Sequence, residues 1–223
     1  MKFVAFTECG NRWENQDYYR VEELEEQTVL IVCDGVGGSR YGALGSKTVC
    51  NAIADSLSRH AIDMDCEKRI EEACKKASDD LDKKSDECQC KDMGTTMVMA
   101  CVEGSQVTIA HCGDSRCYLL RPGEGVIYQT KDHVQLSFGW EVLVNTFLSY
   151  KGRELVPEVQ QFELKLGDRL FLCSDGVYKS VKSERLIPCL MEDKNIEMIA
   201  DTIKSLCEKY MDDNYTGVLY QYM

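Results

Sequence analysis

The sequence of 223 residues predicts an α+β fold in one domain, and three observations support this prediction. Several apolar runs of strand length are joined by short turns, as at Glu103-Gly104-Ser105, which is typical of antiparallel hairpins. Two stretches with helical spacing of apolar residues follow one another at 43–59 and 66–81. Strands and helices do not alternate regularly, so a parallel sheet built from βαβ units is not predicted.

The individual elements follow from local patterns. The predicted strands are short apolar runs bounded by Gly, Asp or Asn, and the predicted helices repeat apolar residues three or four positions apart. A charged segment at 83–92 is predicted as a loop. The predicted strands span 2–8, 18–23, 27–33, 94–102, 106–112, 116–121, 126–130, 159–164, 169–174 and 216–222, and the predicted helices span 43–59, 66–81, 141–150, 183–190 and 196–211.

The bulk composition excludes several classes of protein. A formal net charge of −12 argues against a nucleic-acid partner, because phosphate backbones bind surfaces rich in Lys and Arg. The N-terminal apolar run is too short for a signal peptide, and no window approaches the roughly 18 apolar residues of a membrane span. The thirteen cysteines are scattered without C-x-x-C spacing, which predicts reduced thiols in a cytoplasmic protein.

The stretch 28–45 contains the first candidate site residue. Its apolar run from Val29 to Cys33 predicts a strand that is buried on both faces, and the run ends abruptly at Asp34-Gly35. A helix-forming stretch follows, so the Asp34 carboxylate is expected at the edge of a sheet. An Asp-Gly pair also favours a tight turn with positive φ, and for this motif taken alone that alternative stays open.

Four further aspartates stand at the ends of predicted strands: Asp17, Asp114, Asp175 and Asp213. Clustered carboxylates raise one another's pKa unless a cation neutralises them. Oxygen ligands of this kind suit hard divalent cations, Mg²⁺ or Mn²⁺. The three histidines lie far apart in the sequence and outside zinc-ligand spacing. The sequence therefore predicts a site for Mg²⁺ or Mn²⁺.

Seven short motifs occur in the order found in the metal-dependent protein phosphatases of type 2C, and the chain most resembles their compact bacterial branch. The resemblance spans essentially the whole chain and implies one domain at 1–223. It also implies a central β-sandwich of two antiparallel sheets flanked by helices on both sides, and hydrolysis of phosphoserine and phosphothreonine in proteins. The motifs are NQD (15–17), DGVGG (34–38), MGTTMV (93–98), GDSR (113–116), KDH (131–133), SDG (174–176) and DN (213–214).

The resemblance implies a set of metal ligands. Two Mn²⁺ or Mg²⁺ ions would be held by Asp17, Asp34, Asp175 and Asp213 together with the carbonyl of Gly35, and Asp34 would bridge the two ions. A hydroxide between the metals would then attack the phosphorus atom, because two cations roughly 3.5–4 Å apart lower the pKa of a bridging water and hold the phosphoryl oxygens.

Further residues acquire roles from the same resemblance. Arg12 would bind the phosphate through its planar guanidinium, although a surface ion pair with Glu14 is an alternative. Asp114 would serve a third, weaker metal position, and Asn214 would shape the site around its neighbour in the DN motif. His133 is either a proton donor or a structural residue, and the sequence does not decide between them.

Three departures from the family pattern bear on function. Val36 stands where animal members carry a histidine proposed as the general acid. Lys179 stands where some relatives place an acidic ligand, which puts the third metal position in doubt. The flap expected near 134–144 is truncated, so we expect an open site and altered specificity.

The leading hypothesis is a Mn²⁺- or Mg²⁺-dependent protein serine/threonine phosphatase whose substrates are phosphoproteins of a serine/threonine kinase. One alternative is a catalytically silent module of the same fold that binds phosphoproteins. A second alternative is a phosphatase of small molecules that uses the same metals. The retained aspartates favour an enzyme over the silent module.

Overall fold

The buried apolar runs form two antiparallel five-stranded sheets in the computed structural model, which describes residues 2–36, 40–59, 64–149, 155–210 and 212–223. The strands are β1 (Phe3–Glu8), β2 (Asp17–Glu23), β3 (Thr28–Asp34), β4 (Gly94–Thr95), β5 (Met97–Glu103), β6 (Gln106–Cys112), β7 (Arg116–Arg121), β8 (Gly125–Gln129), β9 (Val134–Ser137), β10 (Trp140–Leu143), β11 (Phe147–Leu148), β12 (Glu158–Glu163), β13 (Arg169–Cys173) and β14 (Tyr215–Gln221), and the helices are α1 (Gly42–Arg59), α2 (Cys66–Cys88), α3 (Asp175–Ser180), α4 (Ser183–Leu190) and α5 (Ile196–Cys207).

The two sheets pack face to face with helices outside each of them. The first sheet has the strand order β1-β14-β13-β7-β8, and the second has the order β12-β6-β5-β3-β2. Helices α1 and α2 cover the outer face of the second sheet, and α3 to α5 cover the outer face of the first. The predicted α+β class and the implied four-layer sandwich are confirmed.

Strand β3 shows how the layers are filled. Because side chains alternate along a strand, Val29, Ile31 and Cys33 pack under the helices while Leu30 and Val32 enter the core between the sheets. All five side chains are fully buried. The strand is therefore apolar on both faces, as its sequence predicted.

The same alternation places the candidate carboxylates. Asp34 ends β3 in the series of Leu30 and Val32, so it belongs to the face between the sheets. Asp17 begins β2 directly opposite Asp34 in the antiparallel register and shares that face. The end of the sandwich thus receives two carboxylates from adjacent strands.

The prediction of a helix at 141–150 is wrong. Val134–Ser137 and Trp140–Leu143 form an antiparallel hairpin instead, closed by Phe138 and Gly139 with φ of 50° and 84°. Positive φ at both turn residues matches the right-handed twist of paired strands. β11 follows at Phe147–Leu148 and pairs with β4, and residue 150 lies outside the described residues.

Two other boundaries differ from the predictions. The segment 83–92 is not a loop throughout, because α2 continues to Cys88 and ends at Gln89, whose φ is 52°. Ion pairs between side chains three residues apart, such as Lys84 with Glu87, stabilise this polar last turn. Short helix α3 was not predicted, and α5 ends at Cys207, four residues before the predicted end at 211.

No helix among the described residues is both long and apolar enough to cross a membrane.

Candidate metal centre

An acidic cleft of ≈ 370 Å³ opens at the end of the sandwich where β2 begins and β3 ends. Six of the residues predicted to form the site line this cleft. Asp17 lies beneath it and is 6% exposed, whereas Asp114 and His133 are not among the lining residues. The lining consists of Arg12, Trp13, Glu14, Gln16, Asp34, Gly35, Arg40, Asp175, Asp213 and Asn214.

The main chain of Asp34 is held on both sides by two threonines. The Thr96 hydroxyl accepts a hydrogen bond from the Asp34 N–H at 3.1 Å, and the Thr96 N–H donates to the Asp34 carbonyl at 2.8 Å. The Thr95 hydroxyl donates to the same carbonyl at 2.8 Å. Thr96 interrupts the single strand predicted at 94–102, and this interruption lets both hydroxyls reach Asp34.

Asp17 is positioned from the other sheet. The Ser174 hydroxyl donates to Oδ2 of Asp17 at 2.6 Å and accepts a hydrogen bond from the Thr216 N–H at 3.0 Å. Oδ1 of Asp17 is buried and has no hydrogen-bond partner. A buried carboxylate oxygen left without a donor is costly unless a cation binds it.

Both Asp-Gly pairs, at 34–35 and 175–176, require glycine because the backbone of another segment packs closely against them. A Cβ on Gly35 would lie 2.5 Å from the backbone of Gly42 at the start of α1, and a Cβ on Gly176 would lie 2.0 Å from the Asn214 carbonyl oxygen. Neither glycine has a positive φ. The alternative of a tight turn with positive φ at Asp34-Gly35 is therefore wrong. Gly37 and Gly38 of the same motif lie outside the described residues.

Asn214 joins the loop between β1 and β2, which carries Arg12, to the start of β14 through hydrogen bonds. Its Nδ2 donates to the carbonyls of Cys9 at 2.8 Å and Glu14 at 3.0 Å, and its Oδ1 accepts from the Gln16 N–H at 2.8 Å. Its own N–H donates to Oδ1 of Asp213 at 2.9 Å. One amide side chain thus orders the loop and the last candidate ligand together.

Burial and repulsion from neighbouring carboxylates raise the pKa of three aspartates, Asp17, Asp34 and Asp114, in the metal-free chain. Burial raises the pKa of Asp17 to about 7 against the effect of the Ser174 hydrogen bond, and Asp175 adds to the rise. Burial and the charges of Asp17 and Asp175 raise the pKa of Asp34 well above its usual range. Burial and Asp175 raise the pKa of Asp114 to about 6. Such shifts mark a site that a multivalent cation would stabilise.

The carboxylates do not form one tight group. Among the described residues, three or more ligand atoms come within 4.8 Å of one another at two other places, Cys66 with Cys101 and Glu103, and His111 with His133 and Glu158. Asp34 lies beside both Asp17 and Asp175, but no three of the described aspartates meet this distance limit. Their oxygen-only donor set and the orphaned oxygen of Asp17 nevertheless fit hard divalent cations.

Lys179 places a positive charge among the candidate carboxylates. Its Nζ pairs with Oδ2 of Asp175, one helical turn away on α3. Burial lowers the pKa of Lys179, but Asp175, and then Asp114 and Asp34, outweigh burial and raise the pKa overall. The Tyr178 hydroxyl donates to the Asp114 carbonyl at 3.0 Å and holds that loop against α3.

Arg12 contacts the site directly. Its Nη2 donates to Oδ2 of Asp213 at 2.9 Å, and its side chain is 54% exposed at the cleft. The alternative of a surface ion pair with Glu14 is not what the structure shows, since the recorded partner is Asp213. The guanidinium therefore stands where an incoming phosphate could meet it.

His133 is engaged on both ring nitrogens outside the cleft. Its Nδ1 lies 3.4 Å from the Gly113 N–H and 3.3 Å from Nδ2 of Asn145, and its Nε2 lies 3.3 Å from the carboxylate of Glu158. Its ring stacks on that of His111 with centroids 4.5 Å apart. These contacts favour a structural role over proton donation.

Some site residues were missed by sequence reasoning. Ser174, Thr95 and Thr96 lie within motifs that were recognised, but their roles depend on contacts across the fold. Trp13 lies between β1 and β2, Arg40 lies between β3 and α1, and both line the cleft. Neither residue belongs to a sequence motif whose spacing would have marked it as part of the site.

Comparisons with known proteins agree with this geometry. A family model described as Protein phosphatase 2C matches residues 10–217. The serine/threonine phosphatase stp of Listeria monocytogenes is 30% identical over 235 residues, which cover 94% of this chain and 91% of the relative. The serine/threonine protein phosphatase PstP of Mycobacterium tuberculosis is 28% identical over 86% of this chain and 40% of its own length.

Solved structures give the same result. Stp1 from Staphylococcus aureus, a serine/threonine phosphatase, superposes with a TM-score of 0.89 at 25% identity, covering 100% of this chain and 96% of the other. The catalytic domain of PstP in complex with two manganese ions has a TM-score of 0.82 at 26% identity, with coverage of 99% and 97%. The chain therefore belongs to the protein phosphatase 2C family.

Proposed function

We propose that the cleft binds two Mn²⁺ or Mg²⁺ ions and hydrolyses phosphoserine and phosphothreonine in proteins, so that the chain is a metal-dependent protein serine/threonine phosphatase. The observation that carries the proposal is the adjacent pair of Asp17, which is buried, and Asp34, which lines the cleft, with raised pKa values and an orphaned oxygen on Asp17. The manganese complex of PstP and the names of the phosphatase relatives support it.

The ligands we assign are Asp17, Asp34, Asp175 and Asp213 with the carbonyl of Gly35. Asp34 is central to the set because it lies opposite Asp17 and also lines the cleft with Asp175 and Asp213. Its backbone is fixed by the two threonines, so its carboxylate can be shared between two ions with little loss of conformational entropy.

When bound, the two cations supply a hydroxide nucleophile at neutral pH and neutralise the phosphoryl oxygens. The chain's own residues bind and orient the substrate. Arg12 exchanges the carboxylate of Asp213 for two phosphate oxygens, which its planar guanidinium can hold together. Asn214 keeps the Arg12 loop in place during this exchange.

The proton for the leaving serine or threonine oxygen comes, in our proposal, from water. The lining of the described cleft includes no histidine, and Val36 occupies the position of the family's proposed acid. His133 is already engaged by Glu158 and Asn145. A pH profile free of a histidine-like limb at low pH would support this assignment.

We infer that the positive charge of Lys179 takes the place of a third metal ion, so that the chain binds two ions rather than three. The ammonium group pairs with Oδ2 of Asp175, and the charges of both Asp175 and Asp114 act on it. The positive charge of Lys179 also acts on Asp114, so a further cation at Asp114 would be disfavoured. Metal analysis of the loaded protein should then give two ions per chain.

We further propose that the substrates are products of a serine/threonine kinase in the cytoplasm. The thirteen cysteines are all free thiols, which suits a reducing compartment. In our proposal the hairpin β9–β10 is the truncated flap expected near 134–144. The hairpin and the cleft belong to one proposed domain at 1–223. Because this hairpin is short, we expect the cleft to accept extended segments of folded partners.

Hydrolysis of phosphothreonine and phosphotyrosine peptides by the purified chain tests the proposal. We expect Mn²⁺-dependent release of phosphate from phosphothreonine, loss of activity with EDTA, and little release from phosphotyrosine. Asp175→Asn should lower kcat/KM by at least roughly 100-fold, because it removes a ligand charge. Asp79→Asn, the same change at an exposed site on α2, should leave it unchanged.

The same assay separates the alternatives. Metal binding without turnover, with Asp175→Asn retaining phosphopeptide affinity, would establish a silent phosphoprotein-binding module. Rapid hydrolysis of small phosphate esters with no turnover of any phosphopeptide would indicate a small-molecule phosphatase.

A further inference from the structure

A pair of thiols lies far from the metal centre, where the start of α2 meets β5. Sγ of Cys66, Sγ of Cys101 and a carboxylate oxygen of Glu103 all lie within 4.8 Å of one another. Cys66 is 7% exposed and Cys101 is 1% exposed. Cys101 pairs with Val29 and Thr108 in the second sheet, away from the strand ends that carry the aspartates.

A buried cation distinguishes this pair from the other thiols of the core. The Arg69 side chain is fully buried, and its guanidinium donates to the Met64 carbonyl at 3.2 Å, to Oε1 of Gln27 at 3.0 Å and to the carboxylate of Glu103. Oε1 of Gln27 also accepts a hydrogen bond from Sγ of Cys101 at 3.5 Å. The guanidinium, the amide and the two thiols thus form one polar network.

The two cysteines differ in chemical character. Cys66 is the first residue of α2, where the helix dipole favours a thiolate, and Asp65 caps the helix by accepting from the Glu67 N–H at 3.1 Å. The neighbouring Cys101 thiol lowers the pKa of Cys66, whereas Cys66 raises the pKa of Cys101. Because Cys66 lies at the helix start and is the more exposed of the two, it is better placed than Cys101 to react with an oxidant.

A metal ion is a poor occupant for this cluster. Glu103 is already neutralised by Arg69, and the guanidinium would face any cation bound to the two sulfurs. Two neighbouring thiols with unequal acidity and a nearby positive charge are instead the arrangement in which a disulfide forms rapidly.

We propose that Cys66 and Cys101 form a disulfide when the protein meets a peroxide. The Cys66 thiolate attacks one peroxide oxygen, the O–O bond breaks, and after protonation water and a sulfenic acid result. The Cys101 sulfur then attacks the Cys66 sulfur and expels a second water. Overall, two thiols and one hydrogen peroxide become one disulfide and two waters.

The bond would close a loop that contains the whole of α2 and both threonines that hold Asp34. In the chain-entropy model, a loop of this size stabilises a protein enough to raise Tm by several degrees. Phosphatase activity should change little, since the pair lies at the opposite end of β5 from Thr96. The modification is therefore a protective one.

Peptide mapping after peroxide treatment of the reduced, Mn²⁺-loaded chain tests the proposal. We expect a cross-link between the tryptic peptide that ends at Lys68 and the one that contains Cys101, reversed by dithiothreitol, together with a higher Tm. In Cys101→Ser the sulfenic acid on Cys66 should persist and react with dimedone.

Cys33→Ser is the matched control, because Cys33 is fully buried in the same core and burial raises the pKa of its thiol well above its usual value. This variant should still form the cross-link. Iodoacetamide should modify Cys66 at least about tenfold faster than Cys33 in the native chain. Peroxide consumption with no such cross-link, or zinc bound by the two thiols that blocks it, would overturn the proposal.

Discussion

Arg12 and Asp213 form an ion pair at the cleft, and in the proposed function the phosphate of a substrate would replace Asp213 as the partner of Arg12. Both side chains are about half exposed, 54% for Arg12 and 42% for Asp213, so the pair itself contributes little to stability. The ion pair matters for position, since the loop that Asn214 orders holds Arg12 beside Asp213, one of the candidate metal ligands. The guanidinium should therefore act mainly on substrate affinity.

Arg12→Ala should lower kcat/KM for a phosphothreonine peptide by roughly 10- to 100-fold, which corresponds to about 1.5–3 kcal/mol for a lost charge-assisted hydrogen bond. We expect most of the loss in KM, because the contact forms on binding. Steady-state kinetics with Mn²⁺ at saturation measures both constants.

Arg59→Ala provides the control for charge alone, since Arg59 ends α1 with its side chain 75% exposed. Its kinetic constants should match those of the wild type. Equal effects of the two variants would mean that Arg12 acts only through net charge.

The roles of single residues were predictable from the sequence where they depend on the position of a residue relative to a strand. The aspartates stand at strand ends, and that position is visible in the apolar pattern before them. Ser174 and Thr96 were not predictable, because each hydroxyl serves an aspartate on another strand. Hydrogen bonds between residues distant in sequence leave no local pattern.

At the scale of elements, α3 is held against the last strand by an unusually close backbone contact. Gly176 lies so near the Asn214 carbonyl that a Cβ would approach its oxygen to 2.0 Å. Asp175 begins the same helix, and Asp213 precedes Asn214. The contact therefore sets the separation of two candidate ligands.

Gly176→Ala should lower the free energy of unfolding by at least about 2 kcal/mol, because neither backbone can yield without moving its strand or helix. It should also weaken Mn²⁺ binding. Urea unfolding of the metal-free protein and calorimetric titration with Mn²⁺ measure the two effects.

Gly104→Ala is the comparison. Gly104 has a φ of +58° in the β5–β6 turn and open space around it, so a Cβ adds only backbone strain of about 1 kcal/mol. Its Mn²⁺ affinity should equal that of the wild type. A weaker metal-binding effect in Gly176→Ala than in Gly104→Ala would contradict the proposed role of the contact.

Helices and strands were predictable where the apolar residues of a segment recur with one clear spacing, either helical or alternating. The sequence predicts a helix at 141–150, where β10 ends the β9–β10 hairpin, because the apolar residues of the hairpin alternate over only four positions on each side of the turn. Leu136 and Trp140 are both 78% exposed, so neither face of the hairpin enters a core. Without burial on one face, alternation carries little information about the fold.

For the whole molecule, stability is tied to metal through electrostatics. The chain has a net charge of −12, and Asp34, Asp175 and Asp213 line one cleft at the end of the sandwich with Asp17 buried beside Asp34. The unfolded pKa of Asp17 is near 3.8 and its folded pKa is about 7. Its contribution to stability is thus full below about pH 4 and is lost as the pH rises through about 7.

The Tm of the metal-free chain should therefore fall between about pH 5 and pH 8 by more than the Tm of Asp17→Asn, which cannot ionise at this position. Mn²⁺ at about 100 times its Kd should stabilise the wild type at pH 8 by about 2.7 kcal/mol, because it binds only the folded state. Differential scanning calorimetry across this range measures both.

Asp17→Asn serves as the control for the pH dependence of all other groups, because it retains every titrating group except Asp17. Parallel Tm curves for the wild type and Asp17→Asn would show that the pKa of Asp17 is not raised in the folded chain. Mg²⁺ and Mn²⁺ should act in the same direction.

The pairing of Asp17 with Asp34 limits how this protein can change over evolution. A single residue inserted in β2 or deleted from β3 would shift one strand by one position and turn one carboxylate to the opposite face. Substitutions along these strands can be absorbed by repacking, but a change in length cannot. Length variation among descendants of this chain should therefore be confined to its loops and absent from these two strands.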